Sequence, residues 1–351
     1  MPQTPAALGY RMPAEWEPHE ATWIAWPHNR SDWPGKFAAI PFVFAEIVRH
    51  LHTGERVHIL VNTAAAEKQA QAVLTKAGVD LNQIRFFHFP TNRVWTRDYG
   101  PIFVSDGKGK LGITDWRFNA WAKYPDWQKD DAVPSKVQKT LKCPAWQPKV
   151  GRQRVVLEGG SIDVNGQGLM LTTEECLLSE VQQRNPGLTR EDLEKAFADY
   201  LGVSKVLWLG RGIAGDDTHG HIDDLARFVG PRTVVVASDT NRSDKNFLPL
   251  RENEDRLEEM TDLEGKKLEV VYLPMPLPVF WRGQRLPASY ANFYVGNKTV
   301  LVPTFNDSKD IWALSTLQTL FHDRTVVGIH AVDLVWGLGT LHCLTQQQPK
   351  G

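Results

Sequence analysis

The sequence has little cysteine and no excess of charge of either sign. Its 351 residues include three cysteines, Cys143, Cys176 and Cys343, and no Cys-x-x-Cys pair. This usage argues against a disulfide framework or a zinc ribbon and fits a reducing compartment. The 40 basic and 41 acidic side chains leave a formal net charge of −1, so no basic excess is present to hold nucleic acid or an anionic membrane.

Long apolar runs are also missing. No stretch approaches the ~18 consecutive apolar residues that a membrane helix needs, and the first residues show neither a basic nor an apolar signal region. These features predict a cytoplasmic protein. Neither a Walker loop nor a Gly-x-Ser-x-Gly elbow is present, which argues against a P-loop enzyme and a Ser-His-Asp hydrolase.

Residues 336–347 form the most informative segment of the chain. It runs Trp-Gly-Leu-Gly-Thr-Leu-His-Cys-Leu-Thr-Gln-Gln and places Cys343 after a glycine-rich turn, in a short β-prone run. Glycines let a backbone approach a substrate closely, so a thiol at this position is a candidate nucleophile. Taken alone, a buried core cysteine remains the alternative, because free cysteine is among the most buried residue types. Neither Cys143 nor Cys176 has such a context, and both are expected to matter little to a reaction rate.

Three further segments place carboxylates at the ends of apolar runs or in glycine-rich turns, where scaffolds often hold functional groups. They contain Asp98 in Trp-Thr-Arg-Asp-Tyr-Gly-Pro, Glu158 in Leu-Glu-Gly-Gly, and both His221 and Asp223 in Gly-His-Ile-Asp-Asp. Together with Cys343 they suit a guanidinium substrate, since a planar cation with several N–H donors favours paired carboxylates in bidentate geometry. A thiolate would attack the central carbon, and a histidine would pass protons to departing ammonia and from water.

The ordered motifs Trp-x-Arg-Asp, Glu-Gly-Gly, Gly-His-x-Asp and Gly-x-x-His-Cys-x-Thr resemble those of the agmatine deiminase and bacterial-type peptidyl-arginine deiminase family. These proteins belong to the guanidine-modifying enzyme superfamily. The resemblance spans nearly the whole chain and begins in the block of residues 12–27. One departure is found at Leu338 and Thr340, which interrupt a glycine run that is denser in typical members.

The resemblance implies a cofactor-free hydrolase with agmatine as the leading substrate. The products would be N-carbamoylputrescine and ammonia, which implies a role in putrescine and polyamine metabolism. By the same resemblance, Cys343 is the nucleophile and His221 the general acid and base, working through an S-alkylthiouronium intermediate. Asp98 and Asp223 would hold the guanidinium, with Glu158 in support.

The residues that contact the rest of the substrate are less defined by the sequence. The candidates for substrate binding are Trp95, Asp217 and Gly339, and Asp216 is a further candidate for an ammonium group. Peptidyl-arginine and free arginine are alternative substrates, whose carboxylate would need an Arg or a set of backbone N–H groups. A non-catalytic polyamine- or guanidine-binding protein is the alternative of another class. The expected partner is a small guanidino molecule, and a homodimer is a candidate assembly.

A metal site is an alternative interpretation of His219 and His221. Residues two apart on a strand face the same side, so both imidazoles could ligate one ion. Closed zinc sites usually need four ligands at tight spacings, and His342 and Cys343 would point to opposite faces of a strand. We therefore predict no metal site.

Strand-like and helix-like runs alternate along the chain, which indicates an α/β architecture. A strand is predicted over residues 57–61 and a helix over residues 64–77. A second helix should begin at Thr189, with Asp192 as its capping-box partner, and end at Gly202. The sequence also predicts a strand over 205–209 and a helix capped by Ser308, with a buried face formed by Ile311, Leu314, Leu317 and Phe321.

Apolar strands that end in small polar residues recur along the sequence. They start at Ile102, Leu169, Val234 and Val300, which are 67, 65 and 66 residues apart, and an earlier member could start at Trp23. A steady period suggests structural repeats. The family resemblance implies a five-fold pseudosymmetric α/β propeller with its active site in the central channel. No low-complexity linker is evident, so we predict one catalytic domain over residues 1–351.

Overall fold

The structure is a computed structural model that describes residues 3–351, and it has a mixed α/β fold. Its α-helices are Ile40–Leu51, Ala64–Lys76, Thr96–Tyr99, Gln128–Asp131, Val133–Leu141, Glu174–Leu178, Arg190–Leu201, Phe247–Glu259 and Asp310–Leu320. Short 3₁₀ helices are Ala6–Leu8, Phe37–Ala39, Leu81–Gln83, Ala120–Ala122, Gly159–Ser161, Ile222–Asp224 and Leu334–Gly337. Within residues 3–351, no helix has both the length and the apolar character needed to cross a bilayer.

Five sheets share one arrangement, in which a central strand pairs antiparallel on one side and parallel on the other. In sheet order, their strands are Gln346–Pro349, His19–Ala25, Arg56–Leu60 and Ile84–Phe87; Ile102–Ser105, Leu111–Thr114 and Ala145–Trp146; Asp163–Val164, Leu169–Thr173 and Lys205–Leu209; Ala226–Phe228, Thr233–Ser238 and Glu269–Pro274; and Tyr294–Val295, Thr299–Thr304 and Thr325–His330. In every case a helix joins the central strand to its parallel neighbour, as parallel pairing requires. Two hairpins, Lys149–Val150 with Gln153–Arg154 and Phe280–Trp281 with Gln284–Arg285, complete the strands.

The first sheet brings two distant parts of the chain together. Strand His19–Ala25 pairs parallel with Arg56–Leu60 and antiparallel with Gln346–Pro349. The hydroxyl of Thr96 donates a hydrogen bond to the carbonyl of Trp23 at 3.2 Å, which ties the short helix Thr96–Tyr99 to the same sheet. The residues just before Gln346 are therefore held beside Thr96–Tyr99.

Most of the predicted elements are confirmed. The predicted strand and helix near residues 57–77 are Arg56–Leu60 and Ala64–Lys76. Helix Arg190–Leu201 has Thr189 as its N-cap, with a complete capping box to Asp192, and it ends at Gly202 with φ +70°. A left-handed residue at this position suits glycine because glycine lacks a Cβ.

Three details of the prediction were wrong. The cap of helix Asp310–Leu320 is Lys309, and the Ile311 residue is 66% exposed. Ala313 and Leu317 form the buried stripe, because the helix lies on its sheet along that face. The recurrence was also misplaced in the second sheet, whose central strand is Leu111–Thr114, since Ile102–Ser105 is its antiparallel neighbour.

A cluster of buried ions lies between the sheets. The guanidinium of Arg227 bonds to the carboxylates of Asp163 and Glu15 and to the carbonyl of Phe293, and its Nη2 lies 2.9 Å from Glu15 Oε2. The Arg227 side chain is 1% exposed. Arg97 approaches the same Glu15 carboxylate at 3.3 Å. Buried charges persist only when they are paired, so these contacts hold several elements in one relative position.

We predict that Arg227→Leu destabilises the fold strongly. Removing the guanidinium leaves Glu15 and Asp163 buried without their main cation, which should lower the free energy of unfolding by about 3–5 kcal/mol. Arg232→Leu is the matched control, because Arg232 makes a 2.7 Å ion pair with Glu269 on the surface, and such pairs contribute about 0–1 kcal/mol. Urea unfolding of both variants measures the difference. Equal losses of unfolding free energy in the two variants would show that the buried ion pairs of Arg227 stabilise the fold no more than a surface ion pair does.

Candidate active site

The structure gathers most of the predicted substrate and catalytic residues around one pocket of about 300 Å³. Trp95, Asp98, Asp217, Gly339 and Cys343 all line it, whereas His221, Asp223 and Glu158 are buried and are not among its lining residues. The remaining lining residues are Ser31, Asp32, Arg93, Trp121, Tyr124, Thr218, Gly337 and Leu338. Its size and its mixture of aromatic walls with a few charged groups suit a small molecule.

Asp98 is fixed at the pocket floor by two donors. It lies in the short helix Thr96–Tyr99, and its side chain is 2% exposed. The indole Nε1 of Trp121 donates to its Oδ2 at 2.9 Å, and the backbone N–H of Gly160 donates to its Oδ1 at 3.1 Å. Burial, together with the charges of Asp223 and Glu158, raises the pKa of Asp98 to about 7, against the opposing effect of His221.

His221 lies among three carboxylates. Its Nδ1 is 3.7 Å from Asp98 Oδ1 and 4.0 Å from Asp223 Oδ1, and its Nε2 is 3.6 Å from Glu158 Oε2. Burial opposes protonation, but the negative charge of Asp98 and contacts with Cys176 and Glu158 raise the pKa of His221 well above its usual value. The imidazole is therefore charged in the resting site and can donate a proton.

Glu158 faces this imidazole and is itself paired with a buried arginine. Burial works against its charge, but Arg184, whose Nε lies 3.1 Å from Glu158 Oε1, and His221 together lower the pKa of Glu158 to about 2. The side chains of Glu158 and Arg184 are both 0% exposed. Arg184 is a member of the site that the sequence analysis did not identify.

Cys343 faces the same group of carboxylates. Its Sγ lies 3.6 Å from Asp223 Oδ2. Burial and the charges of Asp223, Asp224 and Asp98 raise the pKa of the Cys343 thiol well above its usual value. The resting sulfur is therefore a neutral thiol. A guanidinium bound among these carboxylates would offset their charge and favour the thiolate.

Glycines at two positions allow the reacting groups to converge. A Cβ on Gly160 would lie 2.6 Å from His221 Nδ1, 2.7 Å from Asp98 Oδ1 and 3.1 Å from Asp223 Oδ2. A Cβ on Gly339 would lie 2.8 Å from a ring carbon of Trp95. Real Cβ atoms essentially never approach other atoms this closely, so only glycine fits at either place.

His342 is bound to the site in a way that the sequence analysis did not foresee. Residues 341–344 form turns and not a strand, so His342 and Cys343 do not face opposite sides of a sheet. The Nδ1 of His342 lies 2.7 Å from Asp223 Oδ2, and its Nε2 lies 2.7 Å from Glu15 Oε2. Although burial opposes its charge, the hydrogen bond from His342 lowers the pKa of Asp223.

Two further residues of the site were missed. The side-chain amide of Asn292 lies 3.2 Å from Cys343 Sγ. Cys176, which was expected to lie outside any site, has its sulfur within 4.8 Å of possible ligand atoms of Glu158 and His221. Asn292 is a single amide within the apolar run Tyr-Ala-Asn-Phe-Tyr-Val, and this isolation was the only signal available in the sequence.

The acidic loop before His221 has a structural role. Asp216 accepts hydrogen bonds from the hydroxyl of Thr218 and from the backbone N–H groups of Thr218, Gly220 and His221. It does not line the pocket. The carboxylate of Asp217 lines the pocket but already binds the ammonium of Lys123 and, at 2.7 Å, the hydroxyl of Tyr124.

The ring of His219 contacts different residues from those that surround His221. Its Nε2 lies 3.1 Å from Ser179 Oγ, and its Nδ1 lies 4.0 Å from Glu175 Oε1. The ring of His219 is not part of the group formed by Glu158, Cys176 and His221. The proposed pairing of His219 with His221 around one ion therefore has no support in the geometry.

Residues 210–215 match the pattern Gly-x-Gly-x-x-Gly and follow strand Lys205–Leu209. A dinucleotide fingerprint would open a helix at this point. Here the chain continues through turns to the 3₁₀ helix Ile222–Asp224. A Cβ on Gly212 would lie 2.6 Å from the Cα of Gly220, so this glycine allows two backbone segments of the loop to meet.

The chain is similar to known proteins over nearly its full length. Residues 11–349 match the model of the Porphyromonas-type peptidyl-arginine deiminase family. An agmatine deiminase of Pseudomonas aeruginosa is 35% identical, covering 99% of this chain and 97% of that protein. The solved agmatine deiminase of Enterococcus faecalis superposes with a TM-score of 0.90 at 34% identity, covering 99% and 98% of the two chains. A C. jejuni agmatine deiminase with a C315S substitution and bound substrate gives a TM-score of 0.86 at 30% identity, covering 97% of each chain.

These similarities indicate a class of enzyme that acts on guanidino groups. Within that class, the chain belongs to the Porphyromonas-type peptidyl-arginine deiminase family. Its mixed α/β fold is that of the solved agmatine deiminases.

We predict that Gly160→Ala removes activity while the protein remains folded. The added methyl would enter the space where Asp98, His221 and Asp223 converge, and a displacement of about 1 Å in such groups can reduce rates by roughly 10²-fold. Gly230→Ala is the matched control, because its Cβ would meet nothing closer than 3.5 Å. Ammonia release from agmatine, with circular dichroism as a check of folding, measures the effect. Near-normal turnover by Gly160→Ala would contradict this geometry.

Proposed function

We propose that the protein hydrolyses a guanidino group to a urea and ammonia, with agmatine as its substrate. The observation that supports this most directly is the placement of Cys343 Sγ 3.6 Å from Asp223 Oδ2, in a floor that also holds Asp98 and the charged His221. Two acidic groups suit the N–H donors of a guanidinium, and a sulfur beside them suits attack on the carbon between those donors. The similarity to proteins named agmatine deiminase points to the same substrate.

In the proposed first half-reaction, the guanidinium binds between Asp98 and Asp223, and its charge favours loss of the Cys343 thiol proton to solvent, which leaves the thiolate. The sulfur attacks the central carbon to form a C–S bond. His221 then gives its proton to one nitrogen, and that C–N bond breaks to release ammonia. The product is an S-alkylthiouronium adduct on Cys343.

In the second half-reaction, His221 acts in the opposite sense. It takes a proton from water, and the oxygen attacks the carbon of the adduct. The C–S bond breaks as the C–O bond becomes a carbonyl, and the proton of the attacking hydroxyl passes to the departing sulfur, which restores the Cys343 thiol. With agmatine as substrate, the product is N-carbamoylputrescine. Glu158 and Arg184 keep His221 oriented through both steps.

The charge of the pocket supports a substrate with two positive charges. The carboxylates of Asp32, Asp98 and Asp217 line it, and Arg93 is its only lining cation among residues 3–351. The guanidinium of Arg93 is bound to Asp32 at 2.8 Å and to Asp126 at 3.0 Å, and Asp217 is paired with Lys123, so Asp98 is the lining carboxylate without an Arg or Lys partner among residues 3–351. Agmatine has a cation at each end, whereas arginine would bring a carboxylate into an acidic pocket.

The arrangement of the sheets, the binding partner, the assembly and the cellular location are part of the same proposal. The five sheets with a shared strand pattern support a five-fold α/β propeller around the pocket, built as one domain over residues 1–351. A small guanidino molecule is the proposed partner, a homodimer the candidate assembly, and the cytoplasm the proposed location. None of the assigned roles needs a metal ion or cofactor.

We predict that agmatine is deiminated much faster than arginine or arginyl peptides, because only agmatine avoids placing a carboxylate or a peptide in the acidic pocket. Cys343→Ser should lose roughly 10⁴-fold or more in rate, as expected when a covalent nucleophile is removed. Cys143→Ser is the control and should match the unmodified protein. Ammonia release is measured for all three substrates in excess chelator. A preference for an arginyl peptide would contradict the proposal that agmatine is the substrate. A fully active Cys343→Ser variant would contradict the covalent mechanism.

We predict an acidic limb in the pH profile of kcat/KM near pH 7, because the pKa of Asp98 is raised to about 7. Below this pH the Asp98 carboxyl is protonated and cannot pair with the guanidinium, so kcat/KM should fall about tenfold per pH unit as the pH decreases. The carboxyl of Asp32, whose pKa is raised to about 6, also lines the pocket. Asp32→Asn should therefore leave the limb in place. Loss of the acidic limb in Asp32→Asn would show that the limb reports the titration of Asp32 and not that of Asp98.

A further inference from the structure

Cys343 has one close side-chain donor, and it comes from a part of the chain that no motif marks. The Nδ2 of Asn292 lies 3.2 Å from Cys343 Sγ. Asn292 is 0% exposed and lies just before strand Tyr294–Val295. A buried primary amide has two donors and an acceptor to satisfy, so its placement against a sulfur needs a physical explanation.

The orientation of this amide follows from its neighbours. Its Oδ1 lies 3.1 Å from the backbone nitrogen of His342 and 3.4 Å from that of Cys343, and it accepts from the Thr340 hydroxyl at 2.7 Å. Backbone N–H groups can only donate, so the oxygen must face them. The NH₂ group is then turned toward Cys343 Sγ.

The surroundings of the sulfur are otherwise acidic. The acidic side chains of Asp223, Asp224 and Asp98 oppose the formation of a negative charge on Cys343. A hydrogen bond from the backbone of Thr340 favours that charge. In the thiol form, the S–H can donate to Asn292 Oδ1 at 3.6 Å or to Asp223 Oδ2 at 3.6 Å. In the thiolate form, the sulfur becomes an acceptor, and the N–H of Asn292 is directed at it.

We propose that Asn292 is a further catalytic residue, whose side-chain amide donates a hydrogen bond to the Cys343 thiolate and so favours the nucleophilic form of the sulfur. The proposal rests on the function assigned to Cys343 above. The same amide anchors the turn of residues 340–343 through its oxygen, so it also sets the direction of the sulfur toward the pocket.

The test measures thiolate formation at Cys343 without any guanidino substrate. The protein is treated with iodoacetamide over a range of pH, and modification of Cys343 is followed by peptide mass spectrometry. Asn292→Ala should slow this alkylation by roughly ten- to a hundredfold at a fixed pH, the change expected from losing one hydrogen bond to a charged group. The rate profile should also shift to higher pH, and kcat for agmatine should fall more than KM changes.

Thr340→Val is the matched control, because it removes one partner of Asn292 Oδ1 and leaves the amide contact with the sulfur. Its alkylation rate should stay within about threefold of the unmodified protein, as expected for an interaction of less than about 1 kcal/mol. Asn292→Asp keeps the acceptor oxygen and removes the amide donor, so it is the substitute variant if Asn292→Ala does not fold. Alkylation of Cys343 should also be slow in Asn292→Asp. Normal alkylation in a folded Asn292 variant, or equal slowing in Thr340→Val, would overturn the proposal. Failure of the protein to release ammonia from agmatine would refute the proposed function and leave this result on the thiol unaffected.

Discussion

The two hydrogen bonds of His342 connect the reacting groups to the rest of the molecule. The ring lies 2.7 Å from Asp223 on one side and 2.7 Å from Glu15 on the other. Each ring nitrogen thus contacts one buried carboxylate oxygen. Glu15 is fixed in turn by Arg227 and Arg97. A displacement of this one ring would therefore move Asp223 and the turn that contains Cys343 together.

The buried carboxylates of the site differ in whether the protein supplies a cation for them. Glu158 has Arg184, and Asp223 has His342. Asp98 has hydrogen bonds from Trp121 and Gly160 and lies 3.7 Å from His221, but within residues 3–351 no Arg or Lys side chain pairs with it. Burial and the charges of Asp223 and Glu158 outweigh the effect of His221, so the pKa of Asp98 is raised, whereas the pKa values of Glu158 and Asp223 are lowered. A guanidinium at the pocket floor would add positive charge beside Asp98.

The sequence predicted the groups whose chemistry is visible in local motifs. Asp98, Glu158, His221, Asp223 and Cys343 each lie within four residues of a glycine in the sequence, and the structure brings them close to one another. Helix Arg190–Leu201 was predicted with both of its ends because its caps are local signals.

What could not be predicted depends on contacts between distant residues. Glu15 and His342 are 327 positions apart, and no spacing in the sequence relates them. Asn292 has no motif of its own, and its role depends on the turn of residues 340–343 that packs against it. The buried face of Asp310–Leu320 was misjudged at Ile311, because an apolar residue on a helix does not by itself show which side the sheet will cover.

The pairing of strand His19–Ala25 with Gln346–Pro349 has a consequence for the order in which the protein matures on the ribosome. The first strand is made early, but its antiparallel neighbour is translated more than 300 residues later. Cys343 lies directly before that late strand, so its position is set only after Gln346–Pro349 has left the exit tunnel and joined the sheet. A nascent chain would thus hold its acidic pocket unfinished until Gln346–Pro349 has been made and has joined the sheet. The same topology means that a chain without Gln346–Pro349 would keep the strands of the other four sheets but lack the strand that holds Cys343 in place.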